Sequence, residues 1–362
     1  MSMLDHLPKP DPDVERLKTV FRNAKPDRVP LFELAIAEEV LAELNGQPLM
    51  PLPPDPSTAD LRAWAAQRVM LWHRLGYDYY RVRVDIPFVR NLHATADTAV
   101  SGQAQRQWAD EGAGVIQTRE DFERYPWPTR RDLGFASAEA TLACLPSGMQ
   151  AIGFSGGVLE WATALMGLES FMLALHDEPD LVRDVVDRVG QIILEAFEVF
   201  SGMPEIFALW LGDDMGFKTS TLISPQHLRE YILPWHARYA DLAHRTGRFF
   251  LLHSCGHVDA VMPDLIETVH MDAKHSFEDV IMPVERFKER WGSRVAVLGG
   301  VDVDLLSRAT PERIRERTRA ILDRCGPAGG YACGSGNSVA NYVPAAHYLA
   351  MVETVHQWNG RL

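Results

Sequence analysis

Phe249-Phe250-Leu251-Leu252-His253-Ser254-Cys255-Gly256 is an apolar run that ends in an imidazole and a thiol and stops at glycine. Consecutive large apolar residues bounded by polar and turn-forming ones suit a short strand buried on both faces. In an extended strand, residues i and i+2 project to the same face, so His253 and Cys255 would stand side by side at the strand's C-terminal end. Seven more segments read as strands: 29–33, 79–85, 150–154, 207–212, 269–273, 295–299 and 330–333. Helical stretches separate them. These include 169–200, opened by Leu168-Glu169-Ser170, and 225–245 after the cap-like Ser224. A third covers 311–324, with Thr310 as cap and Pro311 in the first helical position. Eight strands alternating with helices predict an α/β fold, a (β/α)8 TIM barrel rather than a doubly wound sheet.

The rhythm breaks once, over residues 86–148. Polar text such as Gln105-Arg106-Gln107-Trp108-Ala109-Asp110-Glu111-Gly112 suggests a hairpin there, followed by the stiff Tyr125-Pro126-Trp127-Pro128. This stretch is expected to be an insertion after strand two, a lid or flank within one barrel domain spanning 1–362.

Composition sets limits on function. The chain has 362 residues, of which 46% are hydrophobic and 23% charged, enough for a sizeable core. A formal net charge of −13 argues against nucleic acid and anionic membrane surfaces as partners, although a local basic pocket can override it. No apolar run reaches membrane-spanning length, and the start, Met1-Ser2-Met3-Leu4-Asp5-His6-Leu7-Pro8, is unlike a signal segment. Four cysteines make no disulfide framework, so a reducing cytoplasm is the expected compartment. Cys144 and Cys325 read as inert.

The barrel reading places chemistry at strand C-terminal ends. Polar residues there are Glu33, Asp85, Asp213, Asp214, His253, Cys255, Asp272, His275 and Cys333. Cys333 lies in Gly329-Gly330-Tyr331-Ala332-Cys333-Gly334-Ser335-Gly336, a setting like that of Cys255. Two thiolates and one imidazole suit zinc, and three protein ligands leave a fourth position for catalysis. The expected ligand set is therefore His253, Cys255 and Cys333. The competing reading is a hydrogen-bonded core histidine with two inert buried cysteines. Glu33 is the candidate fourth ligand or, equally, an ion-paired carboxylate. Asp213 and Asp214 could orient substrate or the ligand histidine, or one of them could cap a loop. Lys274 and His275 could bind polar groups of a substrate, and a structural hydrogen bond is the alternative for His275.

These residues resemble the uroporphyrinogen decarboxylase superfamily, and more closely its zinc-dependent methyltransferase branch. The resemblance runs through Arg28-Val29-Pro30, Tyr125-Pro126-Trp127-Pro128, Leu211-Gly212-Asp213-Asp214, Ile223-Ser224-Pro225, His253-Ser254-Cys255-Gly256, Asp272-Ala273-Lys274-His275-Ser276 and the stretch ending at Cys333. It implies the zinc set already named and a methyl group exchanged with a corrinoid (cobalamin) cofactor. The small-molecule methyl donor or acceptor, a methoxylated compound or a thiol, stays open. The D-x-H-x-x-G pattern that anchors a corrinoid does not occur here, so the cobalamin is expected on a separate partner protein. The oligomeric state is open, a homodimer included. The decarboxylases of the superfamily grip porphyrinogen carboxylates with an arginine-bearing loop after strand one. Phe32-Glu33-Leu34-Ala35-Ile36 has no arginine. Asp85 followed by Ile86 points the other way, because it resembles the decarboxylases' aspartate at the end of strand two. A uroporphyrinogen decarboxylase-like carboxy-lyase is thus the alternative function.

Overall fold

A computed structural model describes residues 2–96, 105–109 and 114–362. Seven parallel strands form one curled sheet: β1 (Tyr79–Arg83), β4 (Gln150–Gly156), β5 (Ile206–Gly212), β6 (Phe249–His253), β7 (Ala273–His275), β8 (Ala296–Leu298) and β9 (Tyr331–Ala332), in that spatial order. β2 (Leu92–Ala96) and β3 (Gln105–Ala109) pair with each other, antiparallel and apart from the main sheet. Successive parallel strands need long crossovers, and here helices fill them. β5 is buried along its whole length, as expected of a strand covered on both faces.

Inside the curl, Phe32 stacks on Tyr79 with centroids 4.8 Å apart and touches Trp210 at 4.9 Å. Trp210 meets the His275 ring edge-on at 5.5 Å. Outside it, the helix Pro179–Ser201 lies close against β4, because Gly153 presents no side chain to Phe200. A Cβ there would stand 2.8 Å from the Phe200 ring.

The expected first strand, 29–33, is not a strand of the sheet. Leu31 makes a single parallel bridge to Cys333 and Ile36 another to Val339. Pro30 has no N–H to give, and Glu33 turns its backbone to a side chain: its N–H donates to the Tyr79 hydroxyl at 2.9 Å, which in turn donates to the Glu33 carbonyl. A phenol replaces the ladder partner that β1 would otherwise supply. The expected strand 269–273 is also displaced, to Ala273–His275. His270 takes φ 60°, and pairing begins only where the Asp272 N–H reaches the Phe250 carbonyl.

Within 86–148, Gln105–Ala109 is the second strand of a hairpin rather than a hairpin in itself. Asp110-Glu111-Gly112 lies outside the described residues. Two sets of backbone hydrogen bonds tie the stretch down. Asp85 and Gly134 exchange backbone hydrogen bonds at 2.9 and 2.8 Å, and Gly114 and Ile116 bond to the end of the helix Val158–Met166. The helix expected over 169–200 is two, Leu168–Asp177 and Pro179–Ser201. Glu178 precedes a proline and leaves helical geometry, at φ −137° and ψ 54°. Among the described residues no single helix is long and apolar enough to cross a membrane.

Candidate metal centre

Gly212 of β5, His253 of β6 and His275 of β7 are in register, so the three loops that follow leave the sheet side by side. The first two are laced together. Gly216 N–H donates to the Cys255 carbonyl at 3.1 Å, Met215 N–H to Ser254 Oγ at 3.0 Å, and Cys255 N–H to Asp214 Oδ1 at 2.7 Å. Gly256, at φ 76°, allows this approach, since a Cβ on it would fall 2.2 Å from the Gly216 carbonyl carbon. The lacing brings three donor atoms together. Cys255 Sγ lies 3.4 Å and Asp214 Oδ1 3.6 Å from His253 Nε2, and all three fall within 4.8 Å of one another.

His253 is buried, and its other ring nitrogen, Nδ1, lies 2.7 Å from His275 Nδ1. Desolvation lowers the His253 pKa to about 4, against which the Asp214 charge works, so the imidazole is neutral and its Nε2 faces the cluster. Burial, with the Asp214 charge, raises the Cys255 thiol to about 12. Its sulfur receives hydrogen bonds from Ser276 Oγ at 3.3 Å and Asn337 Nδ2 at 3.2 Å. Asp214 is part-exposed, which leaves the cluster open on that side.

Two of the three expected ligands, His253 and Cys255, lie in this group. Among the described residues Cys333 does not join a metal-type group; Asp214 occupies the third place beside His253 and Cys255. Parity explains it. Cys333 is in register with Leu31, whereas the next residue, Phe32, points into the curl, so the Cys333 side chain takes the opposite face. There it hydrogen-bonds with the Tyr331 hydroxyl and lies near Cys325, and burial raises its thiol to about 12.

Glu33 is also apart from the cluster. It is fully buried and accepts from Ser335 N–H at 2.7 Å and from the Ser335 hydroxyl. Burial raises its carboxyl to about 8. Asp213 turns away from His253: its carboxylate accepts from Glu160 N–H at 3.0 Å, at the start of the helix Val158–Met166, and pairs with His236 Nε2 at 2.7 Å. Of the two aspartates, one caps a helix and the other faces the cluster. Asp85 is exposed at the rim. Lys274 spends its donors on the carbonyls of Ser254, His275 and Ser276, the last at 2.7 Å, and so supports the loop where Ser276 takes φ 90°.

The family model for uroporphyrinogen decarboxylase (URO-D) matches residues 14–358. The chain belongs to that family. Its relatives fall on two sides. A methylated-thiol–coenzyme M methyltransferase of Methanosarcina mazei is 29% identical over 171 residues, 47% of this chain and 44% of that protein. The aligned part thus spans less than half of that relative. A uroporphyrinogen decarboxylase of Methylococcus capsulatus is 24% identical over 255 residues, 63% of this chain and 68% of that one. A methyltransferase from Methanosarcina mazei has a similar fold, with TM-score 0.69 and 16% identity over 96% of this chain and 99% of that one.

Within this family fold, the donors at the mouth suit zinc. With Zn–S near 2.3 Å and Zn–N near 2.1 Å, neighbouring donors of a tetrahedron stand roughly 3.5 Å apart. The separations of 3.4 and 3.6 Å around His253 Nε2 match that spacing. Sequence reading missed Asn337 and Ser276. Both carry polar groups in glycine-rich or irregular text, where no periodicity marks which side chains turn inward.

Proposed function

We propose that this URO-D family member is a zinc-dependent methyltransferase that moves a methyl group between a small substrate and a corrinoid carried by a separate protein. The observation that supports it most is the convergence of three donor atoms within 4.8 Å of one another, with Cys255 Sγ at 3.4 Å and Asp214 Oδ1 at 3.6 Å from His253 Nε2. The methyltransferase relative adds to it. His253, Cys255 and Asp214 would hold the metal. Bound there, zinc would supply Lewis acidity, either to lower the pKa of an incoming thiol or to stabilise an oxygen leaving group. A corrinoid would supply the methyl-carrying cobalt.

The chain's own residues have definite tasks. His275 fixes the orientation of the His253 ring through the Nδ1–Nδ1 contact. Ser276 and Asn337 donate to the Cys255 sulfur, which disperses charge on a thiolate and tempers its own reactivity. Lys274 and Ser254 hold the loops that carry the donors.

The second reading, a carboxy-lyase, is favoured by the longer match to the decarboxylase and by Asp85 at the end of β1. One experiment separates them. Purified protein loaded with zinc is mixed with cob(I)alamin and a panel of methoxylated and methylthio compounds, or with methylcobalamin and small thiols. The cobalamin spectrum should change in one direction, and Cys255→Ala should abolish the change. A metal-independent decarboxylation of uroporphyrinogen, with no cobalamin signal in either direction, would reverse the order of the two readings.

A further inference from the structure

Arg81 lies midway along β1 and points, like Tyr79 two residues earlier, into the curl. Its guanidinium extends one layer up and stacks on the Phe154 ring, 4.4 Å from the centroid. Phe154 in turn meets Trp210 edge-on at 5.8 Å and touches Gly212, the register neighbour of His253. Arg81 therefore forms part of the floor beneath the His253–Cys255–Asp214 cluster, close enough for its charge to be felt at His253.

Among the described residues no carboxylate pairs with Arg81, and no acceptor takes its N–H groups. The adjacent strand β4, Gln150–Gly156, carries no acid. Among the described residues the charge that acts on it most is of the same sign: Arg83, on the same face of β1, adds to the desolvation that lowers the Arg81 pKa to about 10. At the rim a third arginine, Arg90, lies over Trp161 at 4.8 Å, with its Nε buried and without a hydrogen-bond partner. A part-buried guanidinium that stacks on a ring, lies beside a like charge and has no acid against it is completed by an anion. Its free donors suit a carboxylate, bidentate, with the Phe154 face setting the plane.

We infer that Arg81 is an anion-binding residue in the floor of the mouth, and that the substrate carries a carboxylate set against it with its reactive end towards Cys255 and Asp214. This rests on the mouth being the substrate site, as in the function proposed above. A chain of net charge −13 thus keeps a cationic floor where its substrate would sit.

The test reads binding on the full chain as purified, without corrinoid partner or turnover. Acetate and benzoate are compared with acetamide and benzamide by ligand-dependent melting, at matched ionic strength. The carboxylates should bind about tenfold or more tightly than the amides, the difference a charge-assisted hydrogen bond gives. Arg81→Met should erase that preference and melt no lower than wild type when ligand-free, because it removes an uncompensated charge. Arg81→Lys should keep a weakened preference. Equal binding of acids and amides by the wild type, no binding of either acid, or an undiminished preference in Arg81→Met overturns the inference. Acid preference without any methyl transfer would instead sink the reaction proposed above and leave the anion floor standing.

Discussion

At the Cys255 sulfur, two hydrogen-bond donors, one imidazole and one carboxylate meet within a few ångströms. Removing the sulfur leaves two ligands for a metal that needs three or four, so Cys255→Ala and His253→Ala should each lose most bound zinc by elemental analysis. Cys333→Ala should keep it, because that thiol faces the helix side of β9 beside Tyr331 and Cys325. Loss of zinc in Cys333→Ala would restore the ligand set expected from sequence alone, whereas retained zinc in Cys255→Ala would remove Cys255 from either set. Glu33 gives a pH test. Its folded pKa of about 8 stands above the ordinary 4.5, so between those values the folded state holds a proton that the unfolded state has released. Stability from this group is therefore full below about 4.5 and is lost as pH rises to about 8, on the order of a few kcal/mol in total. Glu33→Gln mimics the protonated acid, and its denaturation midpoint should fall less with pH over that window. A parallel decline in both proteins would mean that Glu33 is ionised when folded. The His253-x-Cys255 pair was legible as close neighbours in the chain, but β6 ends at His253 and Cys255 reaches the cluster through its loop's bond to Asp214. Cys333 was not: its side depends on which residue of 29–33 it pairs with, and no local pattern encodes that.

The elements show the same division between local and long-range information. Thr310 and Ser224 cap their helices as their sequence contexts suggest, each accepting a backbone N–H three residues on. The helix after Ser224 departs from regularity where Pro234 has no N–H for the Glu230 carbonyl, and the preceding turn widens to a π-helix over Leu228–Ile232. β7 was misplaced because Ala273-Lys274-His275 is buried yet polar: Lys274 and His275 serve the loops and the cluster, so hydrophobicity does not mark the strand. The sheet-to-helix spacing rests on a glycine instead. Gly153→Ala would drive a Cβ to within 2.8 Å of the Phe200 ring, in a core with little room to relax. It should destabilise the protein by about 1–3 kcal/mol in chemical denaturation, the usual cost of overpacking. Phe200→Leu, made in the same background, should recover part of that loss; no recovery would place the strain elsewhere than at this contact.

At the scale of the molecule, a zinc ion held as proposed would use the fold rather than make it. The core is a continuous apolar cluster running from Leu4 to Val355, and it includes none of the three donor residues. The donors lie on two loops already fastened by backbone and side-chain bonds between Asp214, Met215, Gly216, Ser254 and Cys255. A zinc finger, by contrast, has little to fold without its ion. Stripping zinc from this protein with a chelator should therefore abolish methyl transfer and leave its helical circular dichroism and a cooperative melt. The stability lost is only that of ligand linkage, about 2.7 kcal/mol if free zinc stood at a hundred times its dissociation constant. For a chain of 362 residues that corresponds to a fall in melting temperature of roughly 3–4 °C. Because the Cys255 thiol keeps its proton until a metal displaces it, zinc should also bind more tightly as pH rises, so the difference between loaded and stripped protein should widen towards alkaline pH. A stripped protein that loses its secondary structure would show that the cluster is structural, and the proposal that its open side is a catalytic position would fall with it.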